Sequence, residues 1–201
     1  MGKFKIFTQV RYQTMFNKKN NHLELMRDKS KTFPEVDNKI LITSAMVWHC
    51  SYRSLEPLAT FPNLEELIIA TFPDDSFEFL GKLSKLRYLQ ILDMPKITSL
   101  AGLEKLKNLE ALSLSTSPSW DAARKCTLVD SLDPLKCISN LKYLELFGVL
   151  PNNRSLDALQ ELPALASARF SQYSEEEVRE FYRKRPISDD FVPKPLFQEK
   201  I

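Results

Sequence analysis

The chain has 201 residues, 43% of them hydrophobic, which is enough apolar material for a substantial core and excludes a disordered chain. Its 28 Lys and Arg nearly balance 26 Asp and Glu, but residues 1–31 hold eight of the basic residues and two of the acids. Only four glycines stand against 12 prolines, so glycine-rich nucleotide-binding loops are excluded.

The cysteines and the apolar stretches indicate the cellular compartment of the chain. Cys50, Cys126 and Cys137 are an odd number at wide spacings, which predicts reduced, mostly structural thiols rather than disulfides or a CxxC metal site. The apolar stretches are far too short for a membrane span, and no secretory signal is recognised. We therefore expect a cytoplasmic protein with no membrane span.

The first predicted elements are strands. Alternating apolar residues over 4–12 predict one strand, residues 17–21 predict a turn, and HLELM at 22–26 predicts the return strand. Another strand is expected within residues 40–47, where Ala45 and Val47 would be the inward pair of a degenerate first repeat.

Five copies of one pattern follow, each with five apolar residues spaced three apart and a sixth two residues further on. The clearest copy is SLAGLEKLKNLEALSL, with leucines at 100, 103, 106, 109, 112 and 114. Successive copies are offset by 22, 23, 32 and 24 residues, so the third is about nine residues longer than its neighbours. Its extra residues lie within 115–126.

This pattern resembles the leucine-rich repeat proteins, especially the short-repeat kind of bacterial internalins, over about residues 40–173. The resemblance implies an α/β fold, a curved right-handed solenoid with a parallel sheet on its concave side and the final L-x-L of each copy pointing inward. Terminal coils need caps. We predict an N-terminal β-rich cap over residues 1–39, about five to six repeats over 40–173, and a C-terminal capping helix and tail over 174–201.

The chain departs from the family at one position. Three residues after the final inward residue, where the family usually has an asparagine ladder, the sequence has Phe72, Met94, Ser117, Val149 and Tyr173. We expect irregular turns there, with apolar side chains in place of hydrogen bonds to the backbone.

A helix is predicted after the repeats. Ser174 and Glu177 form a capping-box signal, and the apolar spacing after them predicts a helix from about Glu175 to Lys184 that ends before Pro186. The residues that follow combine prolines with apolar side chains. A disordered tail and an extended segment packed on the body are both consistent with that composition.

Because strand side chains alternate, the inward leucines determine which residues line the concave face. An exposed apolar and aromatic patch of this size favours partner binding, and aromatic residues dominate binding hot spots. The candidate partner-binding residues on this face are Met46, Trp48, Ile68, Tyr88, Gln90, Leu92, Tyr143, Glu145, Phe147 and Arg169. The alternative is that the N-terminal hairpin or the C-terminal tail folds over the face and buries it.

The long third repeat is a second candidate site, because insertions in repeats often lie on the binding face. Trp120 and Arg124 are its candidate contact residues. In the alternative interpretation Trp120 only anchors the loop to the body.

Little in the sequence indicates catalysis. His22 and His49 are the only histidines, and His49 and Cys50 are adjacent on a strand, so they face opposite sides. The paired acids at 74–75, 175–177 and 189–190 fall in a predicted turn, a helix start and the tail. We predict no catalytic residue, no metal site and no cofactor.

The leading hypothesis is a non-catalytic protein–protein interaction module that uses the concave face and the third-repeat loop. Within that class we consider an inhibitor or immunity protein that blocks a toxin or enzyme, as ribonuclease inhibitor does in the same broad family, and an assembly or signalling adaptor. The alternatives are an enzyme with Cys50 or Cys126 reactive, and an electrostatic anchor through residues 3–31. That basic segment has no recognised reading motif, so we expect no specific nucleic-acid partner. The sequence indicates neither the partner nor the oligomeric state.

Overall fold

One curved sheet of eight strands organises the residues that the computed structural model describes, which are 14–17, 21–191 and 193–196. The predicted strand over residues 4–12 lies outside the described residues, as do 197–201 of the tail. The strands of this sheet, in spatial order, are β1 (Thr14–Asn17), β2 (His22–Met26), β3 (Ser44–Trp48), β4 (Glu66–Ala70), β5 (Tyr88–Leu92), β6 (Ala111–Ser115), β8 (Tyr143–Phe147) and β10 (Ser167–Ser171).

All neighbouring strands are parallel except β1 and β2, which form an antiparallel hairpin. The return strand β2 has the predicted bounds, whereas β1 reaches Asn17, which was predicted to lie in the turn. Two further strands, β7 (Thr127–Val129) and β9 (Val149–Pro151), pair in a small parallel sheet of their own. The α-helices are α1 (Pro118–Ala122), α2 (Asp133–Lys136) and α3 (Glu175–Lys184). Short 3-10 helices lie on the side of the coils opposite the strands, at Lys39–Leu41, Glu56–Thr60, Glu78–Lys82, Leu103–Lys105 and Asp157–Glu161.

A serine begins the helical turn of each repeat. In five successive coils its hydroxyl accepts a hydrogen bond from the backbone N–H two residues later, at 3.0–3.3 Å. Such serine turns hold the chain in the tight conformation from which a 3-10 helix starts. The serines are Ser54, Ser76, Ser99, Ser131 and Ser155.

The leucines fill the interior as the repeat pattern predicts. In the third copy all six, from Leu100 to Leu114, are at most 1% exposed. The inward residues of neighbouring strands stand in register, as with Leu67, Leu89 and Leu112 on β4, β5 and β6. Stacking therefore buries an apolar face that no single coil could bury alone.

The repeat geometry begins earlier than the leucine pattern shows. β2 runs parallel to β3 with His22 opposite Ser44, and Leu23 and Leu25 are as buried as Ala45 and Val47. The return strand of the hairpin is thus also the first parallel strand, within the segment that we assigned to the N-terminal cap.

The expectation of irregular turns is wrong. In six coils the residue after the strand has a φ of 50–69°. The backbone N–H that follows each of β2 to β6 donates to the last carbonyl of the next strand, at 2.7–3.0 Å. The apolar part of the expectation holds, because Phe72, Met94 and Val149 are fully buried. The six left-handed residues are Arg27, His49, Thr71, Asp93, Gly148 and Gln172.

An asparagine ladder is present on the other side of the strands. Asn63, Asn108 and Asn140 each donate from Nδ2 to a backbone carbonyl of the preceding coil, at 2.7–2.8 Å. Each lies directly before the fourth apolar position of its copy. The repeated N-L-E or N-L-K triplet was visible in the sequence but was not interpreted.

The helix α3 has the predicted bounds. Ser174 Oγ accepts a hydrogen bond from Glu177 N at 3.1 Å, and the Glu177 carboxylate accepts one from Leu156 N at 2.5 Å. Phe181 is buried with its ring centroid 5.0 Å from that of Phe170. The helix therefore packs against the last coil through its apolar side.

Candidate partner-binding surface

The concave face, the side of the eight-stranded sheet opposite the leucine core, carries three rows of side chains that cross the strands in register. The first row is Ser44, Glu66, Tyr88, Ala111, Tyr143 and Ser167. The second row is Met46, Ile68, Gln90, Ser113, Glu145 and Arg169. The third row is Trp48, Ala70, Leu92, Ser115, Phe147 and Ser171.

The C-terminal tail lies on the first row. Ile68, Tyr88 and Ala111 form a small buried apolar cluster, and Phe191 of the tail packs against it. The Leu196 N–H donates to Glu66 Oε1 at 2.7 Å. Our expectation that Ile68 and Tyr88 are exposed is therefore wrong: they are 2% and 7% exposed, because a segment packed on the body covers them.

Burial under this segment changes the chemistry of Tyr88. Desolvation, helped by the charges of Glu145 and Glu66, raises the pKa of Tyr88 to about 12. Its hydroxyl donates to Gln90 Oε1 at 3.3 Å. Tyr88 thus remains a neutral hydrogen-bond donor at any physiological pH.

The rest of the candidate set on this face is partly exposed. At the end of the sheet near β2, Trp48 packs edge-on against His49, with ring centroids 5.4 Å apart, and Met26, opposite Trp48 in the register, is 46% exposed. An apolar area is therefore open to solvent there. The other partly exposed candidates are Met46, Gln90, Leu92, Tyr143, Glu145, Phe147 and Arg169.

The opposite end of the face combines charge with an aromatic ring. Ser113 Oγ donates to Glu145 Oε1 at 2.8 Å, and Arg169 Nη1 lies 3.4 Å from Glu145 Oε2. The Arg169 guanidinium stands 5.0 Å from the centre of the Phe147 ring. These contacts orient Arg169 of β10 over the ring of Phe147 on β8.

The insertion of the third repeat is anchored by an aspartate that the sequence interpretation overlooked. Ser171 Oγ and Gln172 Nε2 donate to Asp121 Oδ1 at 3.0 and 2.9 Å, across the coil that lies between. Trp120 is 38% exposed, its ring stacks on no described aromatic ring, and Arg124 is exposed with a φ of 54°. The structure therefore places α1 beside the third row, with the Trp120 side chain partly exposed.

Close packing at the base of the insertion has a backbone requirement. Gly148 has a φ of +64°, and a Cβ atom there would lie 2.0 Å from Thr116 Cγ2. Only glycine lets the turns after β6 and β8 approach this closely, which brings α1 to the end of β10.

The groups considered for catalysis do not converge. Burial raises the pKa of the Cys50 thiol, whose Sγ lies 3.4 Å from the Leu25 carbonyl oxygen. The expectation that His49 and Cys50 lie on a strand is wrong, because β3 ends at Trp48 and His49 is in a left-handed turn. His49 is exposed, with Nδ1 2.9 Å from Thr71 Oγ1. Within the described ranges no group of three or more His, Cys, Asp or Glu could hold a metal ion.

Paired charges line the edge where the strands begin. Glu110 Oε1 lies 2.7 Å from Arg87 and its Oε2 lies 2.8 Å from Lys142. The hydrogen bond from Lys142, with that from Arg87, holds the pKa of Glu110 below its usual range. These residues border a polar surface hollow of about 400 Å³. Arg87 and Lys142 both pair with Glu110, so coil-to-coil ion pairs line this hollow.

Among the helices that the structure describes, none is long and apolar enough to cross a membrane.

The comparisons with known proteins identify the fold. No family model matches the chain, and no curated protein matches its sequence. Among solved structures, it is similar to internalin C2 from Listeria monocytogenes, with a TM-score of 0.57, 19% identity, and coverage of 75% of this chain and 61% of that one. It is also similar to an internalin, InlF, from the same species, with a TM-score of 0.50, 15% identity, and coverage of 83% and 53%.

The chain thus spans between about half and three-fifths of the length of these two structures. Their likeness agrees with the seven parallel strands, the inward leucines and the short helices, mostly 3-10, that precede the strands. The chain has the leucine-rich repeat fold, in the short-repeat form of the internalins.

Proposed function

We propose that this chain is a non-catalytic protein–protein interaction module. Its partner binds the part of the concave face that the tail leaves open, together with the insertion. The observation that carries the proposal is a preformed sheet with partly exposed apolar and aromatic side chains beside a helix that presents Trp120 to solvent. Soluble proteins rarely expose such patches outside interaction sites.

The open part of the face has the composition of a binding hot spot. Trp48, Phe147 and Arg169 belong to the residue types that dominate interface energies or are enriched at interfaces. Arg169 is already held by Glu145 and stacked over Phe147. A partner that meets such pre-positioned side chains loses less conformational entropy on binding, so less of the contact energy is spent on ordering.

The insertion extends the same surface. Asp121 bonds to Ser171, a member of the third row, so α1 borders the concave face at that row. Trp120 and Arg124 are therefore available to a partner that also contacts Phe147. This arrangement supports the predicted use of both regions by one partner.

A rigid face of this kind acts by occupying the partner's surface. We therefore include in the proposal an inhibitor or immunity form, in which the bound partner is a toxin or enzyme whose active site is covered. A cytoplasmic location also belongs to the proposal. A cysteine-dependent enzyme is disfavoured at Cys50, because the thiolate is the reactive form and burial raises the pKa of this thiol.

Affinity capture with matched baits tests the proposal. The baits are the wild-type chain, the double variant Trp48→Ala with Phe147→Ala, and the control Leu128→Ala, which removes an exposed apolar side chain from β7, outside the main sheet. We expect a protein retained by the wild type and by the control and lost from the double variant, with all three baits folded by circular dichroism. Equal retention by the double variant and the wild type would contradict the proposal.

A further inference from the structure

The described part of the C-terminal tail, residues 186–191 and 193–196, crosses the concave face as an extended segment. It starts at the edge strand β10, where Ser188 O accepts a hydrogen bond from Ala168 N at 3.0 Å and Ser188 N donates to Ala166 O at 3.2 Å. It ends over β4, where Leu196 N meets Glu66. The segment therefore passes over the starts of β8, β6 and β5 on the way.

The surface beneath the tail has the features of a peptide site. Ile68 and Ala111 form an apolar floor with Tyr88, and Met46, Trp48 and Tyr143 pack against it. Phe191 is the aromatic side chain that the tail adds to this cluster. Like the two hydrogen bonds at Ser188, the further polar contacts between the described part of the tail and the first row are made through the backbone of the tail. Ser167 Oγ donates to the Asp190 carbonyl oxygen, and Glu66 accepts from the Leu196 N–H.

Backbone contacts of this kind accept any extended segment, whatever its side chains. Selectivity then comes from the side chains of the segment that pack on the sheet, which in the tail include Phe191 and the buried Pro195. In extended peptides bound along a sheet, backbone hydrogen bonds generally provide affinity and side-chain contacts provide selectivity.

The tail fills its site incompletely. A cavity of about 150 Å³ remains between the sheet and the tail, lined on one side by Tyr88 and Tyr143 and on the other by Pro193 and Leu196. Leu196 is 51% exposed. Pro193 and Pro195 have no N–H to donate, so the segment adds few backbone hydrogen bonds of its own. Segments with few buried contacts open at a small part of the global unfolding free energy.

We infer that the tail is a built-in competitor for this site, which in the complex is occupied by an extended segment of the partner protein with an aromatic anchor in the place of Phe191. The inference rests on the proposed function, because it names the partner chemistry and the regulation of the same face. A tethered segment competes at a high effective concentration, so the partner binds with reduced apparent affinity while the tail is seated.

A labelled synthetic peptide with the sequence of residues 186–201 is the probe, added to three forms of the full chain. The forms are the wild type, Phe191→Ala, and Lys194→Ala, which changes an exposed tail residue. We expect the apparent affinity for the peptide to be at least about tenfold higher in Phe191→Ala than in the other two. A peptide with the same Phe191→Ala change should not bind. Equal binding by all three forms, or by both peptides, would overturn the inference.

Hydrogen exchange on the wild type gives a second readout that needs no variant. The amide of Leu196 should exchange well before the amides of the central strand β6, because the tail opens without unfolding of the sheet. Equal protection would show that the tail is a permanent part of the core. A dimer on size-exclusion chromatography that dissociates in Phe191→Ala would show exchange of tails between copies and would also overturn the inference.

The outcomes separate the two proposals. If the peptide experiment fails while the Trp48 and Phe147 double variant still loses its captured protein, the interaction function stands and the competitor role is rejected. If the peptide binds as expected but capture does not depend on those residues, the proposed use of the open face is rejected instead.

Discussion

Replacing Asp121 with alanine should release the insertion while leaving the solenoid folded. The carboxylate accepts two side-chain hydrogen bonds, from Ser171 and Gln172, at 3.0 and 2.9 Å. Bonds to a charged group contribute about 1.5–3 kcal/mol each when buried, and for this partly exposed pair we take a total of about 1–2 kcal/mol. That loss raises the equilibrium constant for local opening by roughly 5- to 30-fold.

Amide hydrogen exchange measures this opening directly. Within the insertion, the backbone N–H of Ala123, Arg124 and Lys125 donate to carbonyl oxygens of the same segment, so their protection reports its order. Protection should fall roughly 5- to 30-fold in Asp121→Ala and by less than about twofold in Trp120→Ala, whose ring is partly exposed. Asp121→Asn, which keeps an acceptor oxygen, should lie between these variants. An equal loss of protection in Trp120→Ala would refute this reasoning, since Trp120 would then be the anchor.

Three further predictions concern the solenoid. Gly102→Ala should lower the free energy of unfolding by about 2–4 kcal/mol in a denaturant titration, because φ is +100° and the new Cβ would lie 2.7 Å from backbone. Gly81→Ala, where the near atom belongs to a flexible lysine side chain, should cost less than about 1 kcal/mol, and equal costs would argue against the backbone explanation. Asn108→Ala should lower the free energy of unfolding by about 0.5–1.5 kcal/mol in the same titration, because it removes a ladder hydrogen bond. Lys85→Ala, at the matching position of the previous coil, should lower it by less than about 0.5 kcal/mol. A larger loss in Lys85→Ala than in Asn108→Ala would count against a stabilising asparagine ladder. The Cys50 thiol should react with a disulfide reagent at pH 8 only after unfolding, because burial raises its pKa, and a fast native reaction would reopen the enzyme hypothesis.

The repeat could be predicted from the sequence because each inward leucine of a coil repeats at nearly constant spacing. The same periodicity fixed the faces of β4, β5, β6, β8 and β10 and the rows of the concave face. It could not identify β2 as the first parallel strand, because residues 27–43 lack the leucines of the other copies. Only the register with β3, where Leu23 pairs with Ala45 and Leu25 with Val47, identifies Leu23 and Leu25 as inward residues of a coil.

The turns were misjudged for a different reason. The sequence lacks asparagine at one ladder position, yet the turns are regular because left-handed residues such as Thr71 and Asp93 let the backbone N–H groups bond to the next strand. Asn63 and Asn108 stabilise the coils from the other end of the strands. A backbone pattern of this kind leaves no residue signature strong enough to be read from one chain.

The sequence predicts the three rows of the concave face, but it does not predict which residues of those rows the tail buries. Alternation along the strands placed Trp48 and Phe147 correctly on the sheet, but exposure depends on what crosses the face. The tail combines apolar residues with prolines, and the sequence left its position open. Phe191 therefore had to be located in three dimensions before Tyr88 could be recognised as buried.

The most direct test of partner binding at the concave face is an exchange footprint of the complex. With the captured partner bound, amide exchange should slow in the strand ends that carry Trp48, Leu92 and Phe147, and in α1. The 3-10 helices at Glu56–Thr60 and Glu78–Lys82, on the opposite side of the coils, should be unchanged. Protection of those helices with no change at the concave face would contradict the central claim.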